Sequence, residues 1–326
     1  MTKNNLTLTA ISGVRVGNAQ DLGKRTGTTV VLFDHPAAAF ADHRGGWPGS
    51  FDTAASNLGK TFIKRHAFFL TGGDIYGYDA AAGIRKYLLY HGSAAPKGAG
   101  KMPAIIGTNI YDLEFGNPAD YETLGYHACE HASRQPVKQG NVGAGTGARV
   151  GPFFGSEGGT KGGLGSSAAR VGRWTVGAIV VTNCVGNVFD PFVCETIAGT
   201  RRRNKKGFLE MNDVLDEYIT RSTTRSGTTI GVVGTDAPLD HEQLARLVEL
   251  AHDGIALAVR PSHMSTDGDT ILGFCTGPPK PQRLDYRAFD AIHFIATREL
   301  ARAAVNSIHH ARTLGGVPSR SDLESQ

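Results

Sequence analysis

Arg225-Ser226-Gly227-Thr228-Thr229-Ile230-Gly231-Val232-Val233 is a small-residue turn that runs into two threonines and then an apolar, β-branched stretch. Val, Ile and Thr suit a buried strand, so these residues predict a strand that begins at Thr228. Gly227 has backbone freedom closed to other residues and can hold a strained bend at the strand's entrance. Such a bend suits autoproteolysis. If the Gly227–Thr228 bond is distorted, the Thr228 hydroxyl can attack the preceding carbonyl, shift the acyl group from nitrogen to oxygen and lose it to water. The product is a new N-terminal Thr whose hydroxyl is the nucleophile and whose own amine, with an ordinary pKa near ~8, can serve as base. Taken alone, Gly-Thr-Thr-Ile also reads as an ordinary strand start, so the rest of the chain has to decide.

Downstream, Asp240 reads as the N-cap of a helix with apolar positions at Leu244, Leu247, Val248, Ala251, Ile255 and Val259, stopped by Pro261. A strand at Ile271–Cys275 and a last helix from about Tyr286 to Thr313 follow, and the residues after Gly315 read as a tail. Upstream, Glu210 to Arg225 reads as a flexible segment that delivers Gly227. Thr175–Thr182 is β-branched and apolar enough for a central strand, with a hairpin return through Phe189-Asp190-Pro191. Near the N-terminus, Leu6–Val16 and Thr28–Phe33 predict a hairpin that Ala37–Asp42 extends. Phe68–Leu70 leads through Thr71-Gly72-Gly73-Asp74 into a helical pattern, a turn that suits tight packing or an anion site. Met102–Ile110 is another strand, ending at Tyr111-Asp112, and Tyr121–Ala132 is helical.

Several stretches carry candidate chemistry. His127-Ala128-Cys129-Glu130-His131 has H-x-x-E-H spacing, which puts two imidazoles on one helix face for Zn²⁺ with Glu130 to activate water; its bland counterpart is a polar helix face, and no third ligand is evident downstream. Gly143 to Ala148 fits G-x-G-x-x-A, but Pro152 follows instead of an amphipathic helix, so the dinucleotide reading fails in context. Lys161 sits among glycines, either near a ligand-bearing backbone or as a solvated loop cation. Asn183 at a strand end can aim its amide at an oxyanion or cap a turn. The cationic run Arg201–Lys206 can bind nucleic acid or a phosphate, or be a solvated loop. Ser265 to Thr270 is half a calcium loop without the terminal Glu.

Composition narrows the field. The chain has 326 residues and a formal net charge of +4, too modest to imply nucleic-acid binding. Its 43 glycines lie among periodic segments and read as turns and close approaches. The four cysteines form no C-x-x-C pair, which fits a reduced compartment. The first ten residues lack an apolar signal region and no run reaches membrane-spanning length, so a soluble, cytoplasmic protein with no nucleic-acid or membrane partner is expected.

Separate strings then converge on one family. Gly13-Val14-Arg15-Val16-Gly17, Thr26 to Val30, Tyr76-Gly77, Asn141 to Gly147, Lys161 to Gly165, Thr228 to Val233 and Asp267-Gly268-Asp269-Thr270 occur in the order seen in autoprocessing L-aminopeptidases/D-esterases and β-peptidyl aminopeptidases, a group that includes nylon-oligomer hydrolases. The chain resembles that family over nearly its whole length.

The resemblance implies an α/β fold, a four-layer αββα sandwich similar to N-terminal-nucleophile hydrolases with the connectivity of the L-aminopeptidase/D-esterase and ornithine acetyltransferase type. It implies a split before Thr228 into an α chain of residues 1–227 and a β chain of 228–326, together one structural domain. Matched residue by residue, Thr228 is the nucleophile, Asn183 an oxyanion or positioning group, and Lys161 an active-site cation. Asp267 and Asp269 form a pair near the new amine, and Tyr111 is an active-site tyrosine. No cofactor or metal is implied; the partners are a small-molecule or short-peptide substrate and further copies of the chain, as a homo-oligomer, a tetramer by resemblance. The function implied is release of N-terminal residues from peptides, amides or esters. Endo-hydrolysis of 6-aminohexanoate oligomers, acyl transfer of the ornithine acetyltransferase type and zinc peptidase chemistry are the alternatives. Nylon hydrolases and many relatives carry Asn before the Thr where this chain has Gly227, whereas some family aminopeptidases carry Gly before a Ser nucleophile.

Overall fold

The β-branched run that begins at Thr228 is a strand over Thr228–Thr235 whose two sides enter different cores. The computed structural model describes residues 6–91, 102–113, 118–152, 158–202, 207–220, 226–277 and 283–325. In chain order the strands are β1 (Val14–Asp21), β2 (Thr26–His43), β3 (Lys64–Thr71), β4 (Ile105–Asn109), β5 (Arg149–Val150), β6 (Thr160–Lys161), β7 (Gly163–Val171), β8 (Trp174–Asn183), β9 (Asn187–Asp190), β10 (Glu195–Ala198), β11 (Thr228–Thr235), β12 (Val259–Arg260) and β13 (Thr270–Cys275). The helices are α1 (Ala80–Tyr90), α2 (Tyr121–Glu130), α3 (Met211–Thr220), α4 (His241–Ala258), α5 (Tyr286–His309) and α6 (Arg320–Glu324).

The main sheet runs β4-β3-β2-β13-β11-β8-β7, with β1 also paired to β2. Strand β11 lies between β8, antiparallel, and β13, parallel. Burial shows how this one hydrogen-bonded sheet makes two layers. Val31 and Phe33 of β2 join Ile179, Ile230, Val232 and Leu272 in the central core, while Val30 and Leu32 face Ile84 of α1 and Tyr121 of α2. Further along the same strand Phe40 joins Val180 and Val233 under α4 and α5. Between these halves the pairing of β2 with β3 shifts register, from Leu32 to Ala37, and the long strand passes from one layer to the other. The result is helices, sheet, sheet, helices. Each Ile or Val buried this way contributes about 1.5–3 kcal/mol, and a one-residue slip of β11 would exchange the sets facing the two cores. The αββα sandwich is the observed fold.

Four local expectations are corrected. Strand β9 does not pair back on β8; it joins β10 and β12 in a separate small sheet, because both edges of β8 are taken by β7 and β11. The true hairpin partner of β8 is β7, which precedes it. Met211–Thr220 is a helix, while 221–225 lie outside the described residues. The segment after Gly315 is not a loose tail: Ser319 caps α6, and the Pro318 carbonyl accepts the Lys161 backbone N–H at 2.8 Å. Helix α4 ends at Ala258, before Pro261, where the chain joins β9. The Asp240 cap is present, its side chain accepting the Gln243 N–H. Among the described residues no helix is long and apolar enough to cross a membrane.

Candidate active site

The site forms where β11 begins. Thr228 stands directly opposite Asn183 in the antiparallel register. One residue earlier, Gly227 bridges to Asp267, and its carbonyl accepts the Gly268 N–H at 3.0 Å. The Thr228 hydroxyl donates to that same carbonyl at 2.6 Å. Gly227 does not adopt the left-handed conformation that only glycine favours. Its identity is set by space instead: a Cβ there would overlap the backbone of Cys184 and Val185. The expected strained bend is thus replaced by a close backbone approach. Gly268 serves the same end, since a Cβ on it would stand 2.9 Å from the Thr228 hydroxyl and 2.9 Å from the Trp47 carbonyl.

Asn183 has a fixed amide orientation. Its Oδ1 accepts the Arg149 N–H at 3.0 Å, and its Nδ2 donates to the Tyr111 carbonyl at 3.2 Å. Tyr111 reaches this group through its backbone, while its ring is partly exposed. Lys161, on β6, is 2% exposed, which overturns the solvated-loop reading. Its ammonium donates to the carbonyls of Gly145 (3.1 Å), Ala148 (2.7 Å) and Gly162 (2.7 Å). Burial pulls the Lys161 pKa down to about 7, against the opposing charge of Asp112. Asp112 was not a sequence candidate. Its Oδ1 accepts the Gly73 N–H at 2.7 Å, and burial lifts it to about 6. The Thr71-to-Asp74 turn therefore receives the chain's own carboxylate.

Asp267 and Asp269 lie on the loop entering β13. Asp269 accepts the Thr229 N–H at 2.6 Å through Oδ1, and through Oδ2 it accepts the His263 N–H at 2.9 Å with the His263 ring nitrogen at 2.8 Å. Asp267 accepts the Met264 N–H through Oδ2 at 3.0 Å, whereas its buried Oδ1 has no hydrogen-bond partner among the described residues. Burial, then the neighbouring charge of Asp269, raises Asp267 to about 7. Two packed carboxyl groups with one unmatched oxygen suit a cation better than they suit each other. His263, like Asp112, escaped the sequence reading; a His six positions before Asp269 is its only signal there.

The H-x-x-E-H helix is organised otherwise. His127 Nδ1 pairs with Glu130 at 2.7 Å on an exposed face of α2, and His131 Nδ1 lies 3.1 Å from the Asn18 carbonyl oxygen. Among the described residues no group of three or more His, Cys, Asp or Glu side chains converges as metal ligands. Of the cationic run, residues 203–206 lie outside the described residues, and Arg201 and Arg202 donate to the carbonyls of Gly159 and Phe208.

The αββα sandwich gives the chain the fold of the N-terminal-nucleophile hydrolases, and at its centre stand a buried Gly–Thr strand start, an asparagine amide opposite it and a carboxylate pair beside it. The chain belongs to peptidase family S58, which it matches over residues 6–321. It is 31% identical over 356 residues to an uncharacterized aminopeptidase of Mycobacterium bovis, covering 97% of both chains. It is 28% identical over 274 residues to a 6-aminohexanoate-oligomer endohydrolase of Kocuria sp., covering 81% of this chain and 73% of that one. Among solved structures, the L-aminopeptidase D-Ala-esterase/amidase of Ochrobactrum anthropi superposes with a TM-score of 0.71 at 21% identity, over 98% of this chain and 90% of that one. A Burkholderia sp. β-aminopeptidase gives 0.68 at 20%, over 98% and 92%. At those identities the two structures speak to the fold.

Proposed function

We propose that this protein is an autoprocessing amide hydrolase that cleaves its own Gly227–Thr228 bond and then works through an acyl-enzyme on Thr228. The observation that carries the reading is the doubly held Gly227 carbonyl, with the Thr228 hydroxyl at 2.6 Å and the Gly268 N–H at 3.0 Å. In processing, the hydroxyl oxygen adds to the Gly227 carbonyl carbon while Gly268 N–H steadies the developing oxyanion. The C–N bond breaks as the nitrogen takes up a proton, leaving an ester on Oγ1. Water then hydrolyses that ester, releasing the Gly227 carboxylate and restoring the Thr228 hydroxyl beside the amine already freed by the shift. In turnover the same oxygen attacks an amide or ester carbonyl, the amine taking the hydroxyl proton and passing it to the leaving group. Asn183 Nδ2 has a second hydrogen beyond the one given to Tyr111 and serves as a further oxyanion donor. Lys161 keeps the glycine-rich loop in place behind that amide.

Full-length similarity to a mycobacterial aminopeptidase favours release of N-terminal residues over endo-cleavage of 6-aminohexanoate oligomers, to whose hydrolase the match is shorter. The test is a denaturing mass measurement with N-terminal sequencing. A fragment beginning Thr-Thr-Ile-Gly, absent from Thr228→Ala, is the expected result; an intact, fully active single chain overturns the reading.

A further inference from the structure

Asp269 is gripped from behind by His263, a residue that no motif singles out. The backbone N–H and the ring of His263 both meet one oxygen of the carboxylate, at 2.9 and 2.8 Å, while the other oxygen holds the Thr229 N–H at 2.6 Å. A carboxylate engaged at both ends cannot rotate. Because it only accepts, the ring must carry its proton on Nδ1. His263 adopts φ 60°, a left-handed conformation uncommon outside Gly, Asn and Asp, and from this turn it presents both donors to one atom.

The ring is itself walled in. His252, 1% exposed, meets it edge-on with ring centroids 5.0 Å apart. His252 Nε2 lies 3.3 Å from the Asp42 carbonyl oxygen and 3.6 Å from the Asp42 carboxylate, which Arg44 pairs at 2.8 Å. Burial, then the neighbouring His263, pushes His252 down to about 4, so this second ring is uncharged near neutral pH. It serves as a fixed, uncharged wall for the first.

We infer that His263 is a positioning residue: its two N–H groups lock Asp269 onto the Thr229 amide, one residue from the amine freed at Thr228. The inference rests on the proposed Thr228 chemistry, yet the chain is its own first substrate, so self-cleavage reads it without knowledge of the natural one. His263→Leu removes the ring donor. His263→Asn keeps one, because the Asn amide nitrogen falls where Nδ1 stood, and Asn tolerates the left-handed turn. Release of the 228–326 fragment is timed by mass spectrometry, and kcat and KM are then measured on aminoacyl p-nitroanilides.

His263→Leu is expected to slow self-cleavage and kcat by ~10–10²-fold with KM and Tm near the parent values, and His263→Asn to stay within ~3-fold of wild type. Equal rates in wild type and His263→Leu overturn the inference while leaving the Thr228 reading intact. Equal losses in both variants together with a fallen Tm reduce His263 to a loop brace and also overturn it. Should His263→Leu not fold, ¹⁵N NMR of the uncleaved Thr228→Ala chain decides: a protonated, slowly exchanging Nδ1 that is lost in Asp269→Asn supports the lock, and a ring protonated on Nε2 alone refutes it. Absence of self-cleavage in wild type sinks the Thr228 reading instead, a distinct outcome.

Discussion

Lys161 and Asn183 hold one peptide unit from opposite sides. The ammonium sits on the Ala148 carbonyl at 2.7 Å, and the N–H of that same peptide, from Arg149, donates to Asn183 Oδ1 at 3.0 Å. The cation thereby fixes which end of the Asn183 amide can face Thr228. Lys161→Met should lower kcat by ~10–10²-fold through a misdirected amide, with KM much less affected. Steady-state kinetics on the purified variant check this; an unchanged kcat removes Lys161 from the machinery.

Asn183→Ala takes away the amide itself. A lost oxyanion donor lowers kcat by about 10²–10³, whereas a lost turn cap costs about 1 kcal/mol of stability and leaves turnover intact. Kinetics and a melting curve on one variant separate the two outcomes.

Thr228→Ser retains a hydroxyl without the methyl group, so it should still release a fragment, now beginning Ser-Thr-Ile-Gly. Gly227→Ala places a methyl group against the Cys184–Val185 backbone, which cannot swing aside. Its self-cleavage should slow by at least ~10-fold as the carbonyl leaves its seat. Timed mass spectra of the two variants are the measurement.

Asp267 gives the uncleaved chain a pH signature. Its folded pKa, about 7, stands above the ordinary 3.8. Between those values the folded chain keeps a proton that the unfolded chain releases, so stability falls as pH climbs through this window, and the loss is complete above about 7. Asn at this position carries no such penalty. In a Thr228→Ala background, Asp267→Asn should raise Tm by a few degrees at pH 8 and by close to nothing at pH 4. On the proposed self-cleavage the freed ammonium supplies the missing countercharge, and the difference should shrink. Tm against pH for both pairs tests it; a gap independent of pH rejects the carboxylate coupling.

Much of the architecture was legible because it is written in local pattern. The β-branched run after Gly227, the Asp240 cap and the Tyr111 strand end each announce themselves within a few residues. What stayed hidden depends on pairing across long separations. Nothing near Asn183 says that it faces Thr228, 45 positions on. Lys161 looked solvated because the carbonyls that receive it and the Asp112 charge that opposes its neutralisation come from other segments. Thr71-to-Asp74 read as either tight packing or an anion site, because the carboxylate that it receives, Asp112, comes from another segment. The hairpin return after β8 was misread because β7, rich in Gly, Ser and Ala, lacks the bulky residues by which a strand is recognised.

The contact between Gly227 and the Cys184–Val185 backbone reaches past the moment of cleavage. On the proposed chemistry an incoming acyl carbonyl occupies the seat that the Gly227 carbonyl holds in the uncut chain, beside Gly268 N–H. Its α-carbon then rests against the same wall, where a hydrogen fits and an L substituent meets the Val185 nitrogen. Comparing glycyl with L-alanyl p-nitroanilide reads this directly, in favour of the glycyl compound. If the bond is cut as proposed, Gly227 has acted as a mould, and the wall that fits it favours the smallest α-carbon among the acyl groups that follow.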